Sequence, residues 1–249
     1  MPHVPDLSDP RYRDEVGWFL YYEKHGRDQY GGSYDDERLA NSRALLDEVL
    51  GHCGQAQAWL HDKTVISIGC GCTGDLSAWP AAVKIAVDPL LYVYQKLGML
   101  VEDAAGTSRT MYVAVGIEDI PLLDACADLV ICRNALDHMP RPEEALQQIH
   151  RLLKPDGVFF LSVDIGGLPT PDEPTVFSVE SLLALLQDYV EILMQDDSYP
   201  PHSEYRVCSV RILARKRARA GLTLDKEAVL QAYIGTLGQD GMAEVASQG

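Results

Sequence analysis

Short apolar segments rich in β-branched residues alternate with segments of helical pattern between residues 64 and 163. Five of the apolar segments are predicted strands: 64–68, 84–87, 111–115, 128–132 and 157–163. Strands that alternate with helices form a mostly parallel sheet with helices on both faces. The near-continuous apolar character of these strands fits burial on both sides, which is typical of such sheets.

The order of the segments changes after residue 163. Two further strands are predicted at 189–194 and 205–214, joined by the turn at Pro200-Pro201 with no helix between them. Strands connected this directly run antiparallel, because a parallel return requires a crossover. The sequence therefore predicts a doubly wound, Rossmann-like α/β fold. Its mostly parallel seven-stranded sheet ends in an antiparallel hairpin.

Helical spacing of apolar residues predicts the other elements and a division of the chain. Helices are predicted at 14–24, 35–60 with an interruption at Gly51 and Gly54, 75–82, 90–100, 142–153, 178–187 and 224–233. Pro80 keeps the third helix short, and Ser178 is placed to cap the sixth. We expect a helical arm at 1–60, a sheet domain at 61–215 and a tail with one helix at 216–249. The aromatic first part of the arm fits a packing segment and a lid equally well.

The chain is acidic, since 21 Lys and Arg stand against 37 Asp and Glu, a formal charge of −16. This balance argues against a nucleic-acid binder, which needs a basic face. We interpret the basic residues between Arg206 and Arg219 as a solvated strand end. No apolar segment is long enough to cross a bilayer, and the first residues lack the pattern of a secretory leader. We therefore expect a cytoplasmic protein.

The six cysteines are predicted to be reduced and mostly buried thiols. Six cysteines in a chain of this length do not form a disulfide framework. Cys70 and Cys72 are separated by one residue, which is not the spacing of a zinc site, and no second Cys or His pair follows. The sequence indicates no metal ion.

A glycine-rich loop, Gly69-Cys-Gly-Cys-Thr-Gly74, follows the first predicted strand directly. Glycines are needed where a turn is tight and a ligand approaches the backbone closely. Asp88 ends the second predicted strand, 88 − 69 = 19 residues later, where a carboxylate can accept hydrogen bonds from the two hydroxyls of a ribose. Together the loop and the acid predict a nucleoside-containing cofactor at the carboxyl edge of the sheet.

Nicotinamide enzymes share this pattern, so the kind of cofactor depends on the wider sequence. The stretch Val65-Ile-Ser-Ile-Gly-Cys-Gly-Cys-Thr-Gly-Asp-Leu76 resembles the first motif of class I S-adenosylmethionine-dependent methyltransferases. The resemblance continues through residues 87–89, 117–121, 128–140 and 145–157. It covers 64–163 well, and the order of elements extends it to 214. The resemblance implies S-adenosyl-L-methionine as cofactor.

Residue by residue, the resemblance implies a full set of cofactor contacts. They are Gly69, Cys70 and Gly71 for the methionine and ribose part, Asp88 for the ribose hydroxyls, Pro89 or Leu90 for the adenine face, Ile117 and Glu118 for the adenine edge, and Arg133 and Asn134 beneath the methionyl segment. The chain departs from the family at two positions. The family usually has an acidic residue where Ser67 stands, and often an Asp where Gly116 stands.

Methyl transfer needs alignment and desolvation, and a general base only when the acceptor enters protonated. Asp137 and His138, just after the fourth predicted strand, are the leading candidates for that base, although a packing or capping role for His138 is an open alternative. Further residues are candidates for contact with the acceptor: Asp164, Tyr21, Tyr22 and Tyr30. We expect the aromatic arm and the loop at 166–174 to be the pocket walls.

The sequence therefore predicts a methyltransferase that acts on a small-molecule acceptor, with an oxygen or nitrogen as the methylated atom. Neither nucleic acid nor a membrane is expected as a partner, and a homodimer is a possible assembly. Two alternatives remain at this point. One is a nicotinamide-dependent oxidoreductase, and the other is a cofactor-binding partner subunit without catalytic activity.

Overall fold

The structure is a computed structural model that describes residues 5–30, 34–201 and 206–217, with the backbone alone for 25–30 and 34. Its helices are α1 (Pro10–Tyr30), α2 (Tyr34–Cys53), α3 (Leu91–Lys96), α4 (Pro142–Leu152) and α5 (Val179–Leu186). Short 3₁₀ helices cover Gln57–Asp62 and Ile117–Asp119. The helix predicted at 224–233 lies outside the described residues.

Seven strands form one sheet: β1 (Thr64–Ile68), β2 (Val83–Val87), β3 (Thr110–Val113), β4 (Ala127–Arg133), β5 (Leu153–Ile165), β6 (Val190–Tyr199) and β7 (Cys208–Lys216). Their order across the sheet is β3-β2-β1-β4-β5-β7-β6. The first five strands are parallel, and β7 runs antiparallel between β5 and β6. The predicted fold class and the terminal antiparallel hairpin are confirmed.

Both faces of the sheet are buried, as the apolar strands predict. Val65 and Ile66 are adjacent in β1 and fully buried, so their side chains enter different cores on opposite faces. Val65 belongs to the core that includes Leu46 of α2. Ile66 belongs to the larger core, which includes Leu146 of α4. Helix α2 is thus part of the layer that covers one face.

The predicted helix at 75–82 is wrong, because this segment forms consecutive turns. The amides of Ser77 and Trp79 donate to carbonyls three residues earlier. Pro80 has no amide hydrogen to continue a helical pattern. Trp79 is fully buried, and its indole Nε1 donates to the carbonyl of Ser42 in α2 at 3.2 Å. The glycine loop is therefore followed by turns docked on α2.

Other helix boundaries differ from the predictions in length. Helix α1 is longer than predicted, and α2 ends at Cys53 rather than continuing to residue 60. Ser178 caps α5 as predicted, since its hydroxyl accepts a hydrogen bond from the amide of Ser181 at 3.1 Å. None of the helices in the described part of the chain combines the length and the apolar character that crossing a membrane requires.

Candidate active site

Two neighbouring cavities open at the carboxyl edge of the parallel strands. We call the first, of about 400 Å³, the strand-tip cavity; its lining includes Asp88, Pro89, Leu90, Ile117 and Glu118. We call the second, of about 710 Å³, the helix-side cavity; its lining includes Trp18, Tyr22, Cys70, Asp75 and Arg133. The two share part of their lining: Glu15, Gly69, Asn134, His138 and Asp172. One elongated ligand can therefore extend from one cavity into the other.

The glycine loop between the cavities has backbone conformations that favour glycine. Gly69 has φ +62° and Gly71 has φ +53°. A Cβ at position 69 would lie 2.3 Å from Cβ of Ala135, and one at position 71 would lie 2.9 Å from Cζ of Phe19. The loop is thus held between the segment after β4 and helix α1, with no room for side chains.

Gly71→Ala is expected to destabilise the protein more than Gly98→Ala. Both glycines have positive φ, which costs an alanine about 1–2 kcal/mol. Only position 71 adds a contact, because no atom lies within 4 Å of a Cβ at position 98. We expect that contact to lower the free energy of unfolding of Gly71→Ala by roughly 1–3 kcal/mol more than that of Gly98→Ala. Urea unfolding of both variants measures this difference. Equal free energies of unfolding would contradict the tight packing of Phe19 on the loop.

Asp88 turns its side chain toward the glycine loop. Its Oδ2 accepts a hydrogen bond from the amide of Gly71 at 2.9 Å, and its Oδ1 accepts one from the amide of Leu90 at 2.7 Å. A carboxylate can accept about four hydrogen bonds, so each oxygen keeps one site for a ligand. Burial raises the pKa of Asp88, and the two amide hydrogen bonds oppose that rise. The carboxylate is suited to bind two vicinal hydroxyls.

The carboxylate of Glu118 lies beside Gly116. A Cβ at Gly116 would lie 2.7 Å from Oε2 of Glu118. The Glu118 carboxylate therefore occupies the place where the side chain of residue 116 would begin. Both residues line the strand-tip cavity. Glu118 thus places a carboxylate beside the position where the family often has an Asp.

A carboxylate also lies beside Ser67. Asp75 is 5% exposed and lines the helix-side cavity, and its Oδ2 accepts a hydrogen bond from the hydroxyl of Ser67 at 3.2 Å. Its Oδ1 accepts bonds from the Thr73 hydroxyl at 2.9 Å and from Nη2 of Arg133 at 2.7 Å. The cavity wall therefore presents a carboxylate and a guanidinium side by side. Such a pair is complementary to the ammonium and carboxylate of an amino acid.

Asn134 supplies an unused acceptor in the wall between the cavities. It follows β4 directly and has a positive φ of 49°. Its Oδ1 is buried and has no hydrogen-bond partner among the described residues. A buried amide oxygen is normally paired, so this one indicates a ligand that carries a hydrogen-bond donor.

His138 lies at the centre of a group of carboxylates. Its Nδ1 is 3.5 Å from Oε2 of Glu15 in α1. The polar atoms of His138, Asp137 and Glu173 all lie within 4.8 Å of one another. Burial lowers the pKa of His138, but the negative charges of Glu15, Asp137, Glu173 and Asp172 outweigh it, so the pKa lies above its usual value.

Asp137 lies behind His138 rather than at the cavity surface. It is fully buried and is not among the residues that line the two cavities. Neither carboxylate oxygen has a hydrogen-bond partner among the described residues. Burial raises the pKa of Asp137 to about 6, although the charge of His138 opposes the rise. Asp137 is therefore placed to act on His138 and not on a ligand directly.

Asp137→Asn is expected to stabilise the protein at pH 8. The folded-state pKa of about 6 exceeds the ordinary 3.8, so the folded state binds more protons between these values and stability falls as pH rises through them. Removing the charge should raise the free energy of unfolding by about 1–3 kcal/mol at pH 8, and by less at pH 5. Urea unfolding at both pH values measures this.

Asp128→Asn provides the contrast to that variant. Its carboxylate pairs with Nζ of Lys154 at 2.7 Å, so its loss should destabilise the protein. An Asp137→Asn variant that is also less stable at pH 8 would show that the buried carboxylate has a favourable partner.

The predicted acceptor residues are distributed unevenly in the structure. Tyr22 lines the helix-side cavity, and its hydroxyl donates to Oε1 of Glu37 at 2.5 Å. Tyr21 is 66% exposed and is not part of either cavity lining. Asp164 is buried outside both linings, and the side chain of Tyr30 lies outside the described residues. Of the four, the structure brings only Tyr22 to the site among the residues it describes.

Helix α1 contributes more to the site than the sequence reasoning recognised. Glu15, Trp18, Phe19 and Tyr22 line the helix-side cavity. Their spacing of i, i+3, i+4 and i+7 puts them on one face of the helix. That spacing is the signal in the sequence that could have found Glu15. The loop at 166–174 also forms a wall, as predicted, through Thr170, Asp172 and Glu173.

The fold and the site define a Rossmann-like protein with a ligand-binding edge built for a nucleoside. The profile of a family described as a methyltransferase domain matches residues 66–161. This domain match and the fold agree with the class I S-adenosylmethionine-dependent methyltransferase superfamily. The resemblance seen in the sequence is confirmed.

Two curated proteins show the range of chemistry among its relatives. The ubiquinone biosynthesis O-methyltransferase of Haemophilus ducreyi is 35% identical over 109 residues, which cover 41% of this chain and 46% of that protein. The thiol S-methyltransferase TMT1B of Rattus norvegicus is 30% identical over 105 residues, covering 40% of this chain and 42% of that protein. The chain thus spans less than half the length of these relatives.

A solved structure shows the same fold. The N-methyltransferase NodS of Bradyrhizobium japonicum, crystallised with S-adenosylhomocysteine, superposes with a TM-score of 0.57. The match covers 84% of this chain and 100% of NodS at 13% identity. At that identity the likeness concerns the fold alone.

Proposed function

We propose that the protein transfers a methyl group from S-adenosylmethionine to an oxygen or nitrogen of a small-molecule acceptor. The observation that carries this proposal is Asp88, whose carboxylate is bound to the amide of Gly71 and which lines the strand-tip cavity. The residues that line both this cavity and the helix-side cavity support a cofactor that extends across both. The matched methyltransferase domain supports the same conclusion.

The residues present fit the cofactor from end to end. Pro89 and Ile117 offer apolar surface for the adenine, and Glu118 offers an acceptor for its amino group. Asp88 takes the ribose hydroxyls. Asp75 and Arg133 take the ammonium and the carboxylate of the methionine part.

When bound, S-adenosylmethionine supplies a sulfonium methyl group that is already activated for displacement. The protein's own contribution is to hold the acceptor in line and to exclude water. Helix α1 supports the second task because Phe19 packs against the glycine loop. His138 and Glu15 lie 3.5 Å apart in the wall common to both cavities, and this pair supports the transfer of a proton from the acceptor. Asp137 positions the imidazole of His138 and stabilises its charged form.

Titration calorimetry with S-adenosylhomocysteine tests the proposal directly. We expect one bound ligand per chain, followed by transfer of labelled methyl groups to members of an acceptor panel. A well-folded sample that does not bind the ligand would overturn the assignment. Binding without transfer to any acceptor would favour a partner subunit without catalytic activity, and a fluorescence change with NADH would favour an oxidoreductase.

The proposal extends to location and assembly. All six cysteines are free thiols, which supports a reducing compartment such as the cytoplasm. The charge of −16 supports a function without nucleic acid. A homodimer is part of the proposal as an assembly to be tested by light scattering.

A further inference from the structure

The helix-side cavity has more negative than positive side chains in its lining. Its acidic members are Glu15, Glu37, Asp75, Asp172 and Glu173. Its basic members, besides His138, are Arg38 and Arg133. Arg133 is bound to Asp75, and Arg38 is 4% exposed and donates to the carbonyl of Met99. Both guanidinium groups thus have partners of their own, and acidic side chains outnumber basic ones in the lining.

Four carboxylates surround His138 and form what we call the acidic wall: Glu15, Asp137, Asp172 and Glu173. Glu173 has a cationic partner, since its Oε2 pairs with Nη2 of Arg206 at 2.8 Å. Glu15 has His138 at 3.5 Å, and Asp172 accepts a hydrogen bond from the Thr170 hydroxyl at 2.8 Å. The wall thus has four acidic side chains against two basic partners, His138 and Arg206.

Asp137, behind His138, adds to this wall a buried carboxylate that lacks a hydrogen-bond partner in the described part of the chain. It is fully buried, and both of its oxygens lack a hydrogen-bond partner among the described residues. Its carboxylate lies within 4.8 Å of the polar atoms of His138 and Glu173, which line the helix-side cavity. An uncompensated buried carboxylate is costly, so a positive charge nearby would be stabilising. Burial raises the pKa of Glu15 to about 7; nearby carboxylates add to this rise, and the charge of His138 opposes it.

Aromatic rings of α1 line the same cavity. Trp18 and Tyr22 are stacked, with ring centroids 5.4 Å apart and planes inclined by 4°. Trp18 is 55% exposed, although an indole of this size is normally covered in a folded domain. Aromatic faces beside carboxylates are the combination that binds organic ammonium ions. The tryptophan and the acidic wall share one face of α1, because Glu15 and Trp18 are three residues apart.

We propose that the acceptor is an amine that enters the helix-side cavity as an organic ammonium ion with an apolar body. The inference rests on the proposed function and names its substrate class. The ammonium group lies against the acidic wall, and the apolar body lies on Trp18 and Tyr22. An anionic acceptor, such as a carboxylate or a phenolate, is disfavoured by repulsion from the wall.

An ammonium nitrogen has no lone pair, so it must lose a proton before methylation. The N–H bond breaks, its electron pair remains on nitrogen, and the proton goes to the carboxylate of Glu15. Glu15 is suited to this step because its pKa of about 7 makes it both a competent acceptor and a ready donor to solvent. His138 stabilises the charged form of Glu15 from 3.5 Å.

Calorimetry on the full chain saturated with S-adenosylhomocysteine tests this inference. The probes are compared in series, and within one series the compounds have similar size and differ in charge. One such series is phenethylamine, the neutral 2-phenylethanol and the anionic phenylacetate, and the other series use longer or shorter chains. We expect the amine to bind at least about tenfold more tightly than its neutral isostere, with an affinity that falls as salt rises. The anion should bind most weakly.

Two variants locate the effect. Glu15→Gln and Asp172→Asn should each reduce the preference for the amine severalfold, and either one suffices if the other does not fold by circular dichroism. Glu191→Gln is the matched control, because Glu191 is exposed on β6 outside both cavity linings and should leave the preference unchanged.

Several outcomes would overturn the inference. One is an equal or stronger affinity for the neutral or anionic probes in every series. Another is an amine preference that both wall variants retain. A third is stoichiometric binding of Mg²⁺ or Zn²⁺ at the wall that blocks the amine, which would identify a metal ion as its occupant. Failure of S-adenosylhomocysteine to bind would instead overturn the proposed function, and this inference with it.

Discussion

Asp88→Ala is expected to weaken the binding of S-adenosylhomocysteine at least about a hundredfold. The variant removes two charge-assisted hydrogen bonds to the ribose, each of which contributes about 1.5–3 kcal/mol. It also leaves the amides of Gly71 and Leu90 without the acceptor that now orders the loop. Calorimetry of the variant and of the unchanged protein, with thermal unfolding in parallel, measures both effects.

Two further variants make the Asp88 result interpretable. Asp88→Asn keeps the shape and one acceptor oxygen, so we expect an intermediate affinity. Asp62→Ala removes a carboxylate that is 79% exposed, and binding should not change. An Asp88→Ala variant with undiminished affinity would show that the ribose lies elsewhere, because in the described part of the chain Asp88 is the carboxylate that accepts from the amide of Gly71.

Asp75→Asn is expected to lower cofactor affinity by about tenfold to a hundredfold, and Ser67→Asp is expected to recover part of that loss. Asp75 occupies the region that the family's acidic residue at position 67 would reach, since the hydroxyl of Ser67 is 3.2 Å from its Oδ2. A carboxylate introduced at position 67 can therefore take over its role toward Arg133 and the methionine ammonium.

A double-mutant cycle of Ser67→Asp and Asp75→Asn tests whether one carboxylate can replace the other. Ser67→Asp alone places two carboxylates in contact and should destabilise the protein, whereas the double variant should bind at least about tenfold more tightly than Asp75→Asn. Ser67→Asn in the Asp75→Asn background adds no charge and should recover nothing. Strictly additive effects would contradict the view that Asp75 replaces the missing residue.

The sequence predicted Asp88 as a cofactor contact but did not predict the role proposed for Asp75. The sequence predicted the parallel sheet because β1, β2 and β4 are short, β-branched and buried on both faces. It also predicted the loop and Asp88, because a tight turn and the acid after the next strand are local features with fixed spacing. The antiparallel hairpin followed from the absence of a helix between β6 and β7.

The helix predicted at 75–82 shows the limit of local reasoning. Its pattern permits a short helix, but the burial of Trp79 against α2 decides in favour of turns. That contact joins segments far apart in the chain. Periodicity in the sequence does not report such contacts.

The sequence by itself determined the fold class, the glycine loop and the carboxylate that faces it, because spacing along one or two neighbouring strands fixes them. Only the tertiary structure decided that the carboxylates of Asp75 and Glu118 lie beside positions 67 and 116. It also decided that Glu15 of α1 meets His138 across the cavity. Charged side chains interact through space over a few ångströms, so residues that are far apart in the sequence, such as Glu15 and His138, can belong to one site.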